Sequence, residues 1–395
     1  MSKTIEKRQI LVAGTYTQSD AYPNVRYRIK ALKQHPALEI MEVQASSSTR
    51  LEYASGRSRL LSLLAMAFSQ IKKSVACIFA IVRNRHVDAL YIPYPAVPIL
   101  FFLSFIPQKL LPQRIVADVF ISLYDTIVVD RQLIAIGSIF ARCLRQVERR
   151  ALSTATVALT DTPENSDYLA VLLGLPGSLF QDLPLSINEE VFRQNSIPDI
   201  SLASNNLPFK VLFVGTLVPL HRVDLILDAI MLLKPETNIE ITFIGDGQQS
   251  YLLESFLNQA AYDTSKITVL WIRAWQSSSD IQRYVRETHL CLGIMGNEGK
   301  SSRVWPFKNY LYMASGKALI TAETQVSARL RDLVDYPVFI TVDTTEPDKL
   351  AQCLLACADD PGFPGELASN AAQFFNKTLS QQATHDRLFR VVTGT

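Results

Sequence analysis

The chain reads as an α/β protein built from two Rossmann-like, doubly wound parallel-sheet domains that face a cleft. Three observations point there. Its 395 residues exceed what one ordinary core organises. Short apolar runs alternate with helical stretches along the chain, the pattern of a parallel sheet covered on both faces. That pattern breaks at a polar Ser/Asn/Pro-rich segment, Asn195 to Pro208, and then restarts.

The first run, Gln9 to Ala13, is a strand ending at Gly14-Thr15. A helix over Asn24–Gln34 and a strand over Glu39–Val43 follow. Leu60 to Val82 is apolar and long enough to span a bilayer, but Lys72 and Lys73 interrupt it, so it reads as surface-lying or buried helices. Ala89 to Pro107 holds four prolines and reads as strand, turn and short helix. Ile115–Phe120 is a strand, Ile134–Ala151 a helix and Thr156–Leu159 a strand. Thr162-Pro163 opens another helix with proline in its first turn. Beyond the polar segment, 210–216 and 239–247 are strands running into glycine turns. Helices over Arg222–Leu233 and Tyr251–Tyr262 follow them, and 267–270, 289–294 and 317–322 are further short strands. The expected division is 1–200, 201–375 and a C-terminal helix over 376–395 that packs back toward the first domain.

Hydrophobic residues make up 48% and charged residues 19%, so a sizeable core forms and disorder is excluded. Net charge is +2 but unevenly spread. Residues 1–117 carry 16 Lys/Arg against 6 Asp/Glu, leaving 23 against 31 in the remainder, which suggests an anionic partner for the first half alone. The basic residues lack the interleaved aromatics of nucleic-acid modules. The five cysteines form no framework, and Cys353 and Cys357, four apart on a helix, read as buried thiols rather than metal ligands. No signal peptide opens the chain, so a cytoplasmic protein is expected.

Gly14, Gly215, Gly245 and Gly247 each follow a strand, where backbone amides and a helix N-terminus can meet phosphate. Such turns also need glycine for backbone conformation alone. None belongs to a GxGxxG or Walker loop, which argues against dinucleotide dehydrogenases and P-loop NTPases.

VLFVGTLVPLHRVDLILDAI (211–230), ITFIGDG (241–247), LCLGIMGN (290–297) and RVWPFKNYLYMASGKALITAET (303–324) resemble the C-terminal domain of retaining GT-B glycosyltransferases, the group 1 or family 4-like transferases. ILVAGTY, NVRYRIKAL, DVFISLYDTIVVDR, LTDTPENSDYL and LPLSINEEVF resemble that family's N-terminal landmarks more loosely. The resemblance implies a nucleotide-diphosphate sugar as donor substrate, bound mainly by the C-domain, with no separate cofactor and no metal. It implies an acceptor bound by the N-domain and transfer with retention.

The match is uneven. Where the family places an Arg and a Lys on the donor pyrophosphate, this chain has Thr216 and His221. A hydroxyl and a protonated imidazole do not replace two permanent cations, so His221 is either a phosphate ligand or a helix-start residue. The family's paired glutamates fall at Arg303 and Leu311, and leucine accepts no ribose hydroxyl. Lys308 keeps its family place, and with Arg303 supplies the missing charge. Glu298 is the candidate to replace the absent acid, and Gly296 and Asn297 are expected to bring backbone amides toward sugar or phosphate. A surface-exposed basic loop is the competing reading.

On the acceptor side the family's histidine position falls at Phe120, and Asp118 is the polar candidate beside it. Asp118, Arg303 and Lys308 are the expected catalytic residues. The expected donor-binding residues are Gly14, Gly215, Thr216, His221, Gly245, Gly296, Asn297 and Lys308. Asp125, Asp130 and Arg131 read as loop-ordering residues. Arg26 and Arg28, with Lys72, Lys73, Arg83 and Arg85, suit an anionic lipid surface or are ordinary helix charges. Trp271, Trp275 and Trp305 read as core or as stacking partners. The expected activity is sugar transfer to a lipid-linked or polysaccharide acceptor at the inner face of the cell membrane; a non-catalytic GT-B scaffold with a decayed donor site is the alternative.

Overall fold

The structure is a computed structural model and describes residues 7–18, 23–44, 74–193, 207–258, 266–274, 276–360 and 362–395. Lys72, Lys73, Trp275 and most of the polar boundary segment lie outside them. Chain contacts divide the protein into two compact units, Met1–Ser186 with Thr384–Thr395, and Ile187–Ala383.

The first unit holds a parallel sheet of order β2-β1-β3-β4-β5-β6. Its strands are β1 (Arg8–Gly14), β2 (Leu38–Gln44), β3 (Ala89–Ile92), β4 (Ile115–Asp118), β5 (Val157–Thr160) and β6 (Phe180–Asp182). Alternation along β1 explains the double cover. Leu11 and Ala13 join Leu90, Ile92, Ile115 and Ala117 under the helices 74–83, Val97–Leu103 and Ile139–Leu152. Ile10 and Val12 turn to the other face, against Val25, Ile29 and Leu32 of helix Pro23–Gln34 and Leu388, Val391 and Val392 of helix Gln381–Thr393. Each aliphatic side chain buried this way contributes about 1.5–3 kcal/mol.

The second unit repeats the plan in the order β12-β11-β10-β7-β8-β9. Its strands are β7 (Phe209–Val214), β8 (Ile239–Ile244), β9 (Ile267–Ile272), β10 (Leu290–Leu292), β11 (Ala318–Ala322) and β12 (Ile340–Val342). Val211, Phe213, Ile241 and Phe243 meet Ile226, Ile230, Leu253, Leu350 and Leu354 from the covering helices.

Residues 60–73 of the apolar run expected to be helical lie outside the described residues; where the expected elements fall on described residues, two helices differ most from their expected bounds. The helix read from Ile134 begins at Ile139, because Gly137 adopts a left-handed conformation (φ 81°) and the Ser138 hydroxyl caps the helix by accepting from the Ala141 amide. The helix read over Tyr251–Tyr262 is Ser250–Leu257. The short strands β6 and β12 had no sequence signal beyond three residues each. Among the described residues no helix is long and apolar enough to cross a membrane.

Candidate functional site

In an open parallel sheet, ligands bind at the carboxyl ends of the strands where the winding direction reverses. In the second unit the chain builds outward from β7 to β9 and then returns to the other side of β7 with β10. The turn after β7 and the loop after β10 therefore flank the reversal point, and Gly215, Thr216, His221, Gly296, Asn297, Arg303 and Lys308 all belong to those two segments.

The turn is built by backbone approach. Gly215 and Gly245 have φ of 152° and 142°, and a Cβ on Gly245 would run into the Gly215 carbonyl. The Gly215 amide donates to Ile244 O at 2.9 Å, the Leu217 amide to Asp246 O at 3.1 Å and the Gln249 amide to Leu217 O at 2.8 Å. Trp271 fastens the second turn, its indole N–H donating to Gly245 O at 2.8 Å. Gly245 and Gly247 are thus glycines because another backbone lies against them, a sufficient reason that needs no ligand.

Lys308 sits in the first turn of helix Phe307–Ala314 and is buried, its ammonium 3.6 Å from the centroid of the Phe213 ring. A Cβ on Gly215 would lie 3.0 Å from Nζ and 3.3 Å from His221 Cε1, so both side chains stand at the glycine turn. The ammonium has no hydrogen-bond partner among the described residues. Burial holds the Lys308 pKa well below the ordinary lysine value. A ring face offsets part of that cost, but no counter-anion among the described residues does.

His221 corrects one expectation. Its Nδ1 lies 2.5 Å from Thr216 O; a carbonyl only accepts, so Nδ1 carries the proton. Burial first, then the charge of Lys308, press the imidazole pKa well below the usual histidine value. His221 is therefore neutral at physiological pH, with Nε2 as an acceptor, and does not supply positive charge. Of the two side chains, Lys308 is the one that an anionic ligand can hold protonated.

Arg303 is buried, on the loop that leads into the Lys308 helix, and does not lie on an exposed basic surface. Trp305 is buried against Phe339 and Asn309 is fully buried; among the described residues neither the Trp305 indole N–H nor either Asn309 amide atom has a hydrogen-bond partner. Gly296 is tied inward, its amide donating to Leu220 O at 3.1 Å, so it is not free for a ligand as expected. Thr216 is exposed and Asn297 half-exposed; Glu298 is exposed and Leu311 half-buried. Sequence reading missed Tyr312, whose hydroxyl accepts from the Val214 amide at 2.8 Å and anchors the Lys308 helix to β7. It also missed Phe213, which looks like any core aromatic until Lys308 is seen over it.

The first unit differs from expectation more. Asp118, at the end of β4, is fully buried and ion-paired with Arg28 at 2.8 Å. Asn24 and Tyr91 also donate to its Oδ2, both at 3.2 Å. Arg28 completes the knot by donating to Leu183 O and Pro184 O. Burial pushes the Asp118 carboxyl up, while Arg28 and Tyr91 pull it back. An enclosed, ion-paired carboxylate positions the chain; it does not touch a substrate as placed, and Arg28 is not part of a lipid-facing surface. Asp125 is also internal, accepting from Tyr168 at 3.1 Å. Gly14 is buried beneath the Tyr16 ring, so its approach to a ligand is closed. Phe120 is buried against Tyr94. Arg26, Arg83 and Arg85 are exposed.

No protein-family model matches the chain, and no curated protein matches it by sequence. Its fold does match solved structures. HepE of Anabaena, in complex with UDP, aligns over 98% of this chain and 100% of its own at 13% identity and TM-score 0.66. Sucrose-phosphate synthase of Thermosynechococcus elongatus aligns over 98% of both chains at 12% identity and TM-score 0.66. WaaG, a glycosyltransferase involved in lipopolysaccharide biosynthesis, aligns over 98% of this chain and 100% of its own at 11% identity and TM-score 0.59. The two Rossmann-like units are those of the GT-B fold.

Proposed function

We propose that the protein is a GT-B glycosyltransferase that moves a sugar from a nucleotide-diphosphate donor onto a lipid-linked or polysaccharide acceptor at the inner face of the membrane, with retention and without a metal ion. One observation carries the reading: a buried ammonium without a counter-anion, held over Phe213 beside the Gly215 turn at the point where the sheet reverses. A protein keeps such a charge at a cost to its stability, and an anionic ligand removes the cost. A fold shared with HepE, whose structures hold UDP and UDP-glucose, supports the choice of a nucleotide-sugar diphosphate. WaaG supports the lipid-linked acceptor by its role in lipopolysaccharide biosynthesis.

In this reading the acceptor hydroxyl bonds to the donor's anomeric carbon while the bond from that carbon to the diphosphate oxygen breaks. The hydroxyl proton passes to the departing diphosphate, so no strong protein base is needed. Lys308 and Arg303 stabilise the charge on the leaving group, Thr216 donates a hydroxyl hydrogen bond, and Asn297 orients the sugar. Neutral His221 orders the turn through Thr216 O and offers Nε2 as an acceptor. The domains act as donor module (201–375) and acceptor module (1–200), with 376–395 returning to the latter.

Calorimetric titration with UDP, GDP and their sugar conjugates tests the proposal. Micromolar binding of one nucleotide, lost in Lys308→Ala, is expected. A folded protein that binds none of them overturns it in favour of the non-catalytic scaffold.

A further inference from the structure

We propose that residues 131–150 of the first unit form the surface through which the protein docks on an anionic lipid bilayer. The inference rests on the membrane-surface part of the function above and moves the contact away from Arg28, which is buried. From the end of β4 the chain passes through a π-helical turn, Asp125–Asp130, and then runs over the surface into helix Ile139–Leu152. Along it Leu133, Ile136, Ile139 and Phe140 stand out, the last three 70%, 73% and 76% exposed. Scattered exposed apolar residues need no explanation, but such side chains concentrated within eight positions do.

Within 131–150 the exposed charge has one sign, with half-buried Asp130 just before it. Arg131, Arg142, Arg145, Arg149 and Arg150 are all exposed, and the sole carboxylate within 131–150 is Glu148. Glu148 is fully buried, accepting from Ser122 Oγ, Leu123 N and Tyr124 N, each at 2.9 Å. It fixes the helix to the turn that leaves β4, so the surface is held rigidly and shows no negative charge of its own. At 3.6 residues per turn, Arg142, Arg145 and Arg149 form one stripe with Ile139 at its N-terminal end. Beyond the stripe Arg150 lies over Phe105, itself exposed, at 4.1 Å from the ring centroid.

An apolar tip followed by a row of arginines fits a bilayer interface. The tip enters the headgroup–acyl boundary, and the guanidinium groups reach lipid phosphates with their stems along the acyl surface. A second copy on this face would set like charge against like charge, which disfavours a self-association surface.

The test is flotation of the full chain with vesicles of phosphatidylcholine alone and of phosphatidylcholine with phosphatidylglycerol, at low and high salt. The expected result is binding to the anionic vesicles that weakens with salt. Ile139→Asp with Phe140→Asp should reduce it at least tenfold at every salt concentration. Arg142→Glu with Arg145→Glu should abolish the preference for anionic lipid. Acidic residues suit the first turn of a helix, so the first pair leaves the fold intact; unchanged thermal midpoint and nucleotide binding check this for both pairs. Nucleotide titration without vesicles reads the transferase proposal separately. Absence of vesicle binding by the wild-type chain, undiminished binding by the aspartate variant, or a dimer that the same variant dissolves would each overturn the inference.

Discussion

The two units each bury a positive side chain near the carboxyl edge of a sheet, and they treat it in opposite ways. In the first, Arg28 has Asp118 at 2.8 Å, with Asn24 and Tyr91 donating to the same carboxylate oxygen. In the second, Lys308 has an aromatic face at 3.6 Å and no hydrogen-bond partner among the described residues. Burial alone does not mark a functional charge; burial with a missing counter-charge does. The paired site is architecture that ties β4 to helix Pro23–Gln34 and to the segment after β6 at Leu183. The unpaired one is where we propose that the diphosphate binds.

That contrast can be broken from its stronger side first. Asp118→Ala leaves Arg28 charged in the core and is expected to cost about 3–5 kcal/mol in denaturant unfolding. A loss too small to measure would show that water reaches the pair and would remove it from the architecture. Gly245→Ala forces a Cβ onto the Gly215 carbonyl at a left-handed φ. Its expected cost is about 2–3 kcal/mol, with loss of nucleotide binding because the Gly215 turn must move.

Lys308→Met sharpens the comparison, since its two effects have opposite signs. Stability should rise by about 1–3 kcal/mol, because an unpaired buried charge is replaced by an apolar side chain. Affinity for the nucleotide diphosphate should fall about ten- to a hundredfold with the loss of charge-assisted contacts. Thermal melts and calorimetry on the same sample check both, and a destabilised variant with intact binding would reverse the reading.

The same amine makes binding pH-dependent. Burial lowers the Lys308 pKa in the free protein, and a bound diphosphate raises it. Between those two values binding takes up a proton, so affinity falls as pH rises through that window and levels off below the free-state pKa. Titrations in buffers of different ionisation heat should show proton uptake in the wild type and a smaller uptake in Lys308→Met. The smallest effect belongs to Trp271→Phe, which removes one hydrogen bond to Gly245 O and should cost about 1 kcal/mol without changing the nucleotide preferred.

Much of the fold was legible because its signals are local. Apolar alternation in β1 and β7, Pro163 after Thr162, and glycines after β7 and β8 report backbone requirements that neighbouring residues set. The start of helix Ile139–Leu152 was misplaced by five residues because Ile134 and Ile136 continue the apolar pattern, while the deciding signal is the Gly137-Ser138 cap. Lys308 and Arg303 were legible as candidates through the resemblance of 303–324 to the family's C-terminal motif. Asp118 was not legible as a core residue: a carboxylate at a strand end looks the same whether it meets solvent or an arginine ninety positions earlier.

The sequence by itself determined two parallel sheets, the strand ends where chemistry can occur and the residue types available there. Periodicity and turn chemistry are properties of a few consecutive residues, so they survive without the fold. The tertiary structure decided which charges are answered and which are not. It paired Asp118 with Arg28, used the Gly296 amide internally, made His221 neutral, and left Lys308 over Phe213 without a counter-ion among the described residues. It also sent Glu148 inward, leaving the arginines of that helix as an unopposed basic surface. Charge balance depends on distances of a few ångströms between residues far apart in sequence, and folding alone sets those distances.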